Sequence, residues 1–161
     1  MAKGIDLLII SPGNNKVIYQ DLAKEYSAIE PPIWAGLLAK FSRNQGHTTF
    51  LIDQEAQGLS SDQIVQLGLD LNPKLVAIIV YGQQPSASTQ NMTMADEICS
   101  TFKSQASYIK ILMIGGHVSA LPQKTLEESD ADFVCQGEGT HTLQSLLKMD
   151  NLEKIKTLYS N

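Results

Sequence analysis

Short, continuous apolar runs alternate with longer amphipathic segments along the whole chain. Continuous runs are typical of strands that are buried on both faces of a parallel sheet. The five runs lie at residues 5–10, 48–52, 75–80, 109–114 and 132–135. Strands that alternate with helices in this way predict an α/β flavodoxin-like (Rossmann-like) three-layer sandwich. Its five-stranded parallel sheet is expected to have the order 2-1-3-4-5.

The first amphipathic segment with clear boundaries follows Pro31 and Pro32, which fit a first helical turn. Gly46 fits the end of this helix. One face of the helix is predicted to carry the apolar residues Ile33, Leu37, Leu38 and Phe41. Trp34, the only tryptophan, is interpreted as a packing residue.

Later helices are marked by polar residues at their starts. Ser60 and Gln63 have the spacing of a capping box. Ser88 or Thr89 is expected to cap the helix after the third strand, and Thr140 to open the last helix.

Composition excludes several classes of protein. The net charge is −5 and the Lys and Arg residues form no cluster, which argues against a nucleic-acid partner. No apolar run approaches the roughly 20 residues that span a bilayer, and the first residues do not form a signal peptide, so a cytoplasmic protein is expected. Cys99 and Cys135 are predicted to be reduced and buried, and two thiols are too few for an iron–sulfur cluster.

Ligands of such a sheet bind beyond the carboxyl ends of its strands, so the loops at residues 11–15, 81–89, 115–119 and 137–142 are the candidate site. Glycines at strand ends allow close backbone approach, and small hydroxyls with helix N-termini can bind an anion. These loops predict a cleft for a large, neutral-to-anionic ligand that carries a phosphate. A structural role remains open for each residue, because glycine is common at strand ends and a lone histidine such as His117 is more often a loop residue.

Known catalytic patterns are absent from these loops. The chain has no GxGxxG after the first strand, no P-loop, no GxSxG and no aspartate at the end of the third strand. No group of His, Cys and carboxylate residues has metal-ligand spacing. The residues alone therefore indicate a binding domain without catalytic residues or a protein metal site.

The order of the segments resembles the N-terminal cobalamin-binding domain of vitamin B12-dependent radical SAM proteins. The resemblance covers nearly the whole chain and rests on the segments IDLLIISPG, EPPIWAGLLAKFSRNQGH, FLIDQEAQGLS, PKLVAIIVYG, QNMTMADEIC, ILMIGGHVSALPQKTLEE and DADFVCQGEGTHTLQSLL. It implies that this chain binds cobalamin, with the nucleotide tail of the cofactor along the edge of the sheet. The residues expected to contact the cofactor are Ser11, Pro12, Gly13, Tyr81, Gly82, Ser86, Thr89, Gly115, Gly116, His117, Ser119, Gly137, Glu138, Gly139 and Thr140. Valine in place of Gly116 or Gly139 is expected to weaken cobalamin binding and leave the fold intact.

The chain departs from relatives of this fold in two respects. The Asp-x-His-x-x-Gly sequence that supplies a lower cobalt ligand in cobalamin-dependent mutases is absent after the first strand, so base-off cobalamin without that histidine is expected. Water, or a side chain from the loop between Asn14 and Glu30, is expected below cobalt instead. The CxxxCxxC loop of radical SAM enzymes is also absent.

The resemblance therefore implies a domain at residues 1–149 and a connector at 150–161 toward a missing radical SAM domain. Only that domain is expected to hold the [4Fe–4S] cluster and S-adenosylmethionine, and it is the expected partner of this chain. The parent enzyme is expected to be a methyltransferase or to perform cyclisations or rearrangements. Two alternatives stay open: a degenerate domain that binds no cofactor and has a structural or interaction role, or a binder of another nucleotide such as flavin, with Tyr81 as the main stacking candidate.

Overall fold

A five-stranded parallel sheet forms the centre of the molecule. The computed structural model describes residues 4–13, 31–82, 85–149 and 152. The strand order is β2-β1-β3-β4-β5, as predicted. The strands are β1 (Leu7–Ser11), β2 (Thr49–Asp53), β3 (Leu75–Val80), β4 (Lys110–Gly115) and β5 (Phe133–Cys135). Their bounds agree with the predicted runs to within two residues.

Helices cover both faces of the sheet and complete the three-layer sandwich. They are α1 (Ile33–Asn44), α2 (Gln54–Gln57), α3 (Ser61–Leu71), α4 (Pro85–Gln105), α5 (Gly116–Ala120), α6 (Pro122–Glu128) and α7 (Thr140–Lys148). The capping box is confirmed: Ser60 Oγ accepts from Gln63 N at 3.3 Å, and Ser60 N donates to Gln63 Oε1 at 2.9 Å.

Alternate residues of each strand enter two separate cores. On one face, Leu8 of β1 and Val76 of β3 pack with α3 and with Phe102 of α4. On the other face, Leu7 and Ala77 pack with α1 and α7. All of β3 is buried, which explains its continuous apolar sequence. The helices of the second core, α1 and α7, begin at the carboxyl edge of the sheet, where the candidate loops lie.

The apolar face predicted for α1 differs from the face that packs on the sheet. Ile33 and Leu37 are 63% and 56% exposed, whereas Leu38 is buried. The face that meets the sheet is formed by Ala35, Leu38, Ala39 and Ser42. These residues have the spacing i, i+3, i+4 and i+7, so they form a proper helical stripe beside the more hydrophobic one.

The start of α4 also differs from the prediction. The helix begins at Pro85, so neither Ser88 nor Thr89 is its cap. Ser88 lies in the first turns and its hydroxyl bonds to other elements instead. A further difference is α5, which begins at Gly116 inside a predicted loop. The predicted loop residues 14–15, the segment between Asn14 and Glu30, and all of the predicted connector except Leu152 lie outside the described residues.

Both cysteines are buried thiols, as expected. Burial raises the pKa of the Cys99 thiol to about 12, so this thiol is a packing group. Within the described part of the chain, no three His, Cys, Asp or Glu side chains are grouped so that they could hold a metal ion. The described helices include none that is long and apolar enough to cross a membrane.

Candidate ligand-binding edge of the sheet

The ends of β3 and β4 are joined by Ser88. Its hydroxyl donates to Val80 O at the end of β3 and accepts from His117 N in α5 at 2.9 Å. The neighbouring Thr89 Oγ1 lies 3.0 Å from Nδ1 of His117. Two predicted site residues, Thr89 and His117, are thus in direct contact. Ser88 was not among the residues expected to contact the cofactor, although it lies in the candidate loop at residues 81–89.

The ends of β3 and β5 are joined by Tyr81. Its phenol donates to Gly137 O at 3.2 Å, and Gly137 N donates to Ser119 Oγ at 3.0 Å. Burial raises the pKa of the Tyr81 phenol, and the nearby Cys135 and Glu138 add to the shift. The phenol therefore stays protonated and remains a donor at neutral pH.

Trp34 belongs to this edge, although it was interpreted as a packing residue. Its ring stacks on that of Tyr81 with a centroid distance of 5.0 Å and an interplanar angle of 26°. It is 40% exposed, so the ring pair is accessible to a ligand. The available signal was its place in the first turn after Pro31 and Pro32, because a helix that follows β1 in such a fold starts at the carboxyl edge.

The predicted glycines fall into two groups. A Cβ on Gly115 would overlap with Val80 O, one on Gly82 would overlap with Ala87, and one on Gly139 would lie 2.6 Å from Ile114 Cδ1. The protein itself requires glycine at these positions. Gly116 and Gly137 differ, because neither Cβ would overlap with the protein. A Cβ on Gly116 would make ordinary contact with Ser88 at 3.5 Å, and one on Gly137 would meet nothing within 4 Å, although the φ of Gly137 is +105°. Gly137 therefore leaves room for another molecule beside the backbone.

The end of β1 is held separately. Gly13 N donates to Oε1 of Gln54 at 3.0 Å, and Gln54 is a buried residue of α2. Pro12 is buried and Ser11 is half-buried. The structure thus ties this predicted loop to α2, whereas the loops after β3, β4 and β5 are bonded to one another.

The remaining predicted residues are accessible. Ser86 and Glu138 are exposed, and Thr140 is half-exposed at the first turn of α7. The N-cap of α7 is Gly139, which supplies no side-chain hydrogen bond to the helix start. This turn lies at the positive end of the helix dipole, which favours an anion such as a phosphate.

These features define an α/β domain of the flavodoxin-like fold, and its candidate ligand edge is formed by the loops after β1, β3, β4 and β5. The family model of the B12 binding domain matches residues 19–147, and the chain belongs to this family. Among curated proteins and among solved structures, no significant match was found.

The residues at the edge fit cobalamin. The cofactor carries a phosphate, a ribose, a flat benzimidazole and a corrin ring with amide side chains. Hydroxyls at Ser86 and Thr140 and the start of α7 suit the phosphate and ribose, and an exposed aromatic ring suits a flat heterocycle. The open space beside Gly137 leaves room for such a group. Membership of the family and this chemistry together support cobalamin binding.

Proposed function

We propose that this chain is the cofactor domain of a B12-dependent radical SAM enzyme. Its task is to hold base-off cobalamin without a histidine from residues 11–30 below the cobalt. The observation that carries the cobalamin-binding part of the proposal is the family match over residues 19–147. Within these residues, hydrogen bonds join the ends of β3, β4 and β5 into one edge. The histidines of the chain are His47, His117 and His141, so residues 11–30 contain none.

The roles of the site residues follow from their surroundings. Gly116 and Gly137 let the cofactor approach the backbone, and Ser86 and Thr140 donate hydrogen bonds to its nucleotide tail. Ser119 acts indirectly, because its hydroxyl holds Gly137. When bound, cobalamin supplies the cobalt chemistry of methyl transfer, cyclisation or rearrangement, and the protein supplies binding and orientation.

The radical SAM part of the proposal concerns a second domain. The resemblance of the segments supports it, with residues 150–161 as the connector and the [4Fe–4S] cluster and S-adenosylmethionine in the partner domain. The parent gene tests this directly. A reading frame that continues into a CxxxCxxC motif supports the proposal, and one that ends or continues into another domain rejects it.

Titration with hydroxocobalamin tests the binding part. Calorimetry should give saturable binding, and the visible spectrum should be that of the base-off form. The Gly116→Val variant should bind at least about tenfold more weakly, because valine fills the space beside Ser88. Ser104→Val is the matched control. It places a valine at an exposed position near the end of α4, whereas Ser88 lies near the start of that helix. Equal affinity of both variants would reject the assigned pocket.

The absence of a histidine ligand has its own test. Electron paramagnetic resonance of the reduced, cobalt(II) complex should lack the threefold splitting that a coordinated ¹⁴N nucleus produces. A threefold splitting that disappears in one of the variants His117→Ala or His141→Ala would identify a protein ligand and overturn this part of the proposal.

A further inference from the structure

The two helices of the second core are held firmly at one end. At the end of α1, Gln144 Nε2 of α7 donates to Gln45 Oε1 at 2.9 Å. The guanidinium group of Arg43 donates two hydrogen bonds to Thr49 O, from Nε at 3.2 Å and from Nη2 at 2.9 Å. Lys74 Nζ donates to Leu147 O near the end of α7 at 3.0 Å. The carboxyl-terminal half of α1 is thus fixed to β2 and α7.

The first turn of α1 contributes little to the core. Ile33 is mostly exposed, and Ala35 is the buried side chain of this turn. Alanine buries little apolar area, so it contributes little to the free energy that holds the turn on the sheet, whereas Leu38 in the next turn is fully buried. Pro32, the N-cap, makes no side-chain hydrogen bond to the helix.

Two weak contacts in series close the carboxyl edge of the sheet beside the start of α1. Trp34 of α1 stacks on Tyr81, and the Tyr81 hydroxyl donates to Gly137 O in the loop that leads into α7. The contacts therefore run from α1 across the end of β3 to the loop before α7. The hydrogen bond is 3.2 Å long and neither contact involves a charge, so the connection can open at a modest cost in free energy.

We propose that the Trp34–Tyr81–Gly137 chain is a latch that closes the carboxyl edge between α1 and α7. Insertion of a ligand opens the latch, and α1 moves about its fixed carboxyl-terminal half. The identity of the ligand, cobalamin, rests on the proposed function. A closed state that must open before binding lowers the apparent affinity and slows association, and weakening the latch removes part of this cost.

Tyr81→Phe tests the latch without any ligand, because it deletes the hydrogen bond and keeps the ring. The control is Tyr108→Phe, which deletes the same hydroxyl from a 67% exposed ring before β4. Amide hydrogen exchange at residues 137–140 should become about fivefold faster in Tyr81→Phe and stay unchanged in the control. Acrylamide quenching of Trp34, the only tryptophan, should increase in Tyr81→Phe. Equal exchange and quenching in the two variants would overturn the latch.

Stopped-flow binding of hydroxocobalamin tests the gating role. Association should be about threefold to fivefold faster in Tyr81→Phe and also in Trp34→Leu, which removes the other half of the latch. Normal association rates in both variants overturn the gating role and leave the proposed function intact. No binding by the wild-type protein or any variant overturns the proposed function, and the exchange and quenching measurements then decide the latch by themselves.

Discussion

Asp96 is a half-buried carboxylate that the candidate site does not use. Its Oδ1 atom is buried and has no hydrogen-bond partner within the part of the chain that the structure describes. Burial raises the pKa of this carboxyl, and the charge of His117 offsets part of the rise. A raised pKa means that the folded protein binds this proton more tightly than the unfolded chain does. Ionised Asp96 therefore opposes folding, and its cost grows as the pH rises through the pKa of the folded state.

Asp96→Asn is expected to stabilise the protein at pH 7.5. An uncharged amide removes the cost of burying the charge, and we expect a gain of about 1 kcal/mol in the free energy of unfolding. Urea unfolding at pH 7.5 and pH 4 measures it, and the gain should shrink at pH 4 because the wild-type carboxyl then takes up a proton. Glu97→Gln removes a charge from the exposed neighbour in α4 and should change little. A loss of stability in Asp96→Asn at pH 7.5 would show that the charge has a stabilising role.

Gly139 and Gly116 looked equivalent in the sequence, but the structure separates them. Gly139 has φ +86°, and a Cβ there would lie 2.6 Å from Ile114 Cδ1. Gly139→Val should lower the free energy of unfolding by about 2–3 kcal/mol, through backbone strain and overlap in the core. Gly116→Val should stay within about 1 kcal/mol of wild type, because its Cβ would make ordinary contact with Ser88 at 3.5 Å and the φ of Gly116 is not positive. Thermal unfolding compares them, and equal melting temperatures would contradict the distinction. We therefore no longer expect Gly139→Val to leave the fold intact.

The elements are joined at the amino edge of the sheet by Asp132, which lies before β5. Its carboxylate accepts from Lys103 Nζ of α4 at 2.5 Å, from Lys110 Nζ of β4 at 2.8 Å and from Ile111 N at 2.8 Å. These side chains are largely shielded from solvent. Asp132 thus connects α4 and β4 to the segment before β5.

Asp132→Ala should destabilise the protein by about 2 kcal/mol, because it leaves two lysines and a backbone N–H without their acceptor. Glu128→Ala is the control: it breaks the exposed pair of Lys124 and Glu128, 3.8 Å apart, and should cost less than about 0.5 kcal/mol. Denaturant unfolding of both variants provides the comparison. A cost for Asp132→Ala as small as that of the control would mean that the cluster is held by packing alone.

The sequence predicted elements best where one local signal dominates. The buried strand β3 was predicted with its observed bounds. Errors arose where tertiary contacts decide. The apolar stripe with Ile33 and Leu37 is more hydrophobic than the one that packs on the sheet. Ser88 has the residue type of a cap, but its hydroxyl bonds to Val80 O and His117 N, which are distant in the sequence.

At the scale of the whole molecule, topology explains why the location of the candidate site could be predicted. Parallel strands end at one edge, so the loops after β1, β3, β4 and β5 had to lie together once the strand order was known. The contacts between the loops could not be predicted. The stack of Trp34 on Tyr81 joins residues 47 positions apart, and no local pattern marks it.

The two edges of the sheet separate ligand binding from much of the stability. The candidate site lies at the carboxyl edge, and the Asp132 cluster lies at the amino edge. Hydroxocobalamin at about 100 times its dissociation constant should add about 2.7 kcal/mol to the free energy of unfolding, or roughly 8 °C to the melting temperature. Asp132→Ala should melt at a lower temperature but keep the full ligand-induced rise, whereas Gly116→Val should melt near wild type and lose about half of the rise or more. Thermal unfolding with and without the cofactor tests this. Loss of the rise in Asp132→Ala would mean that the two edges are coupled and that binding depends on the packing of the entire sheet.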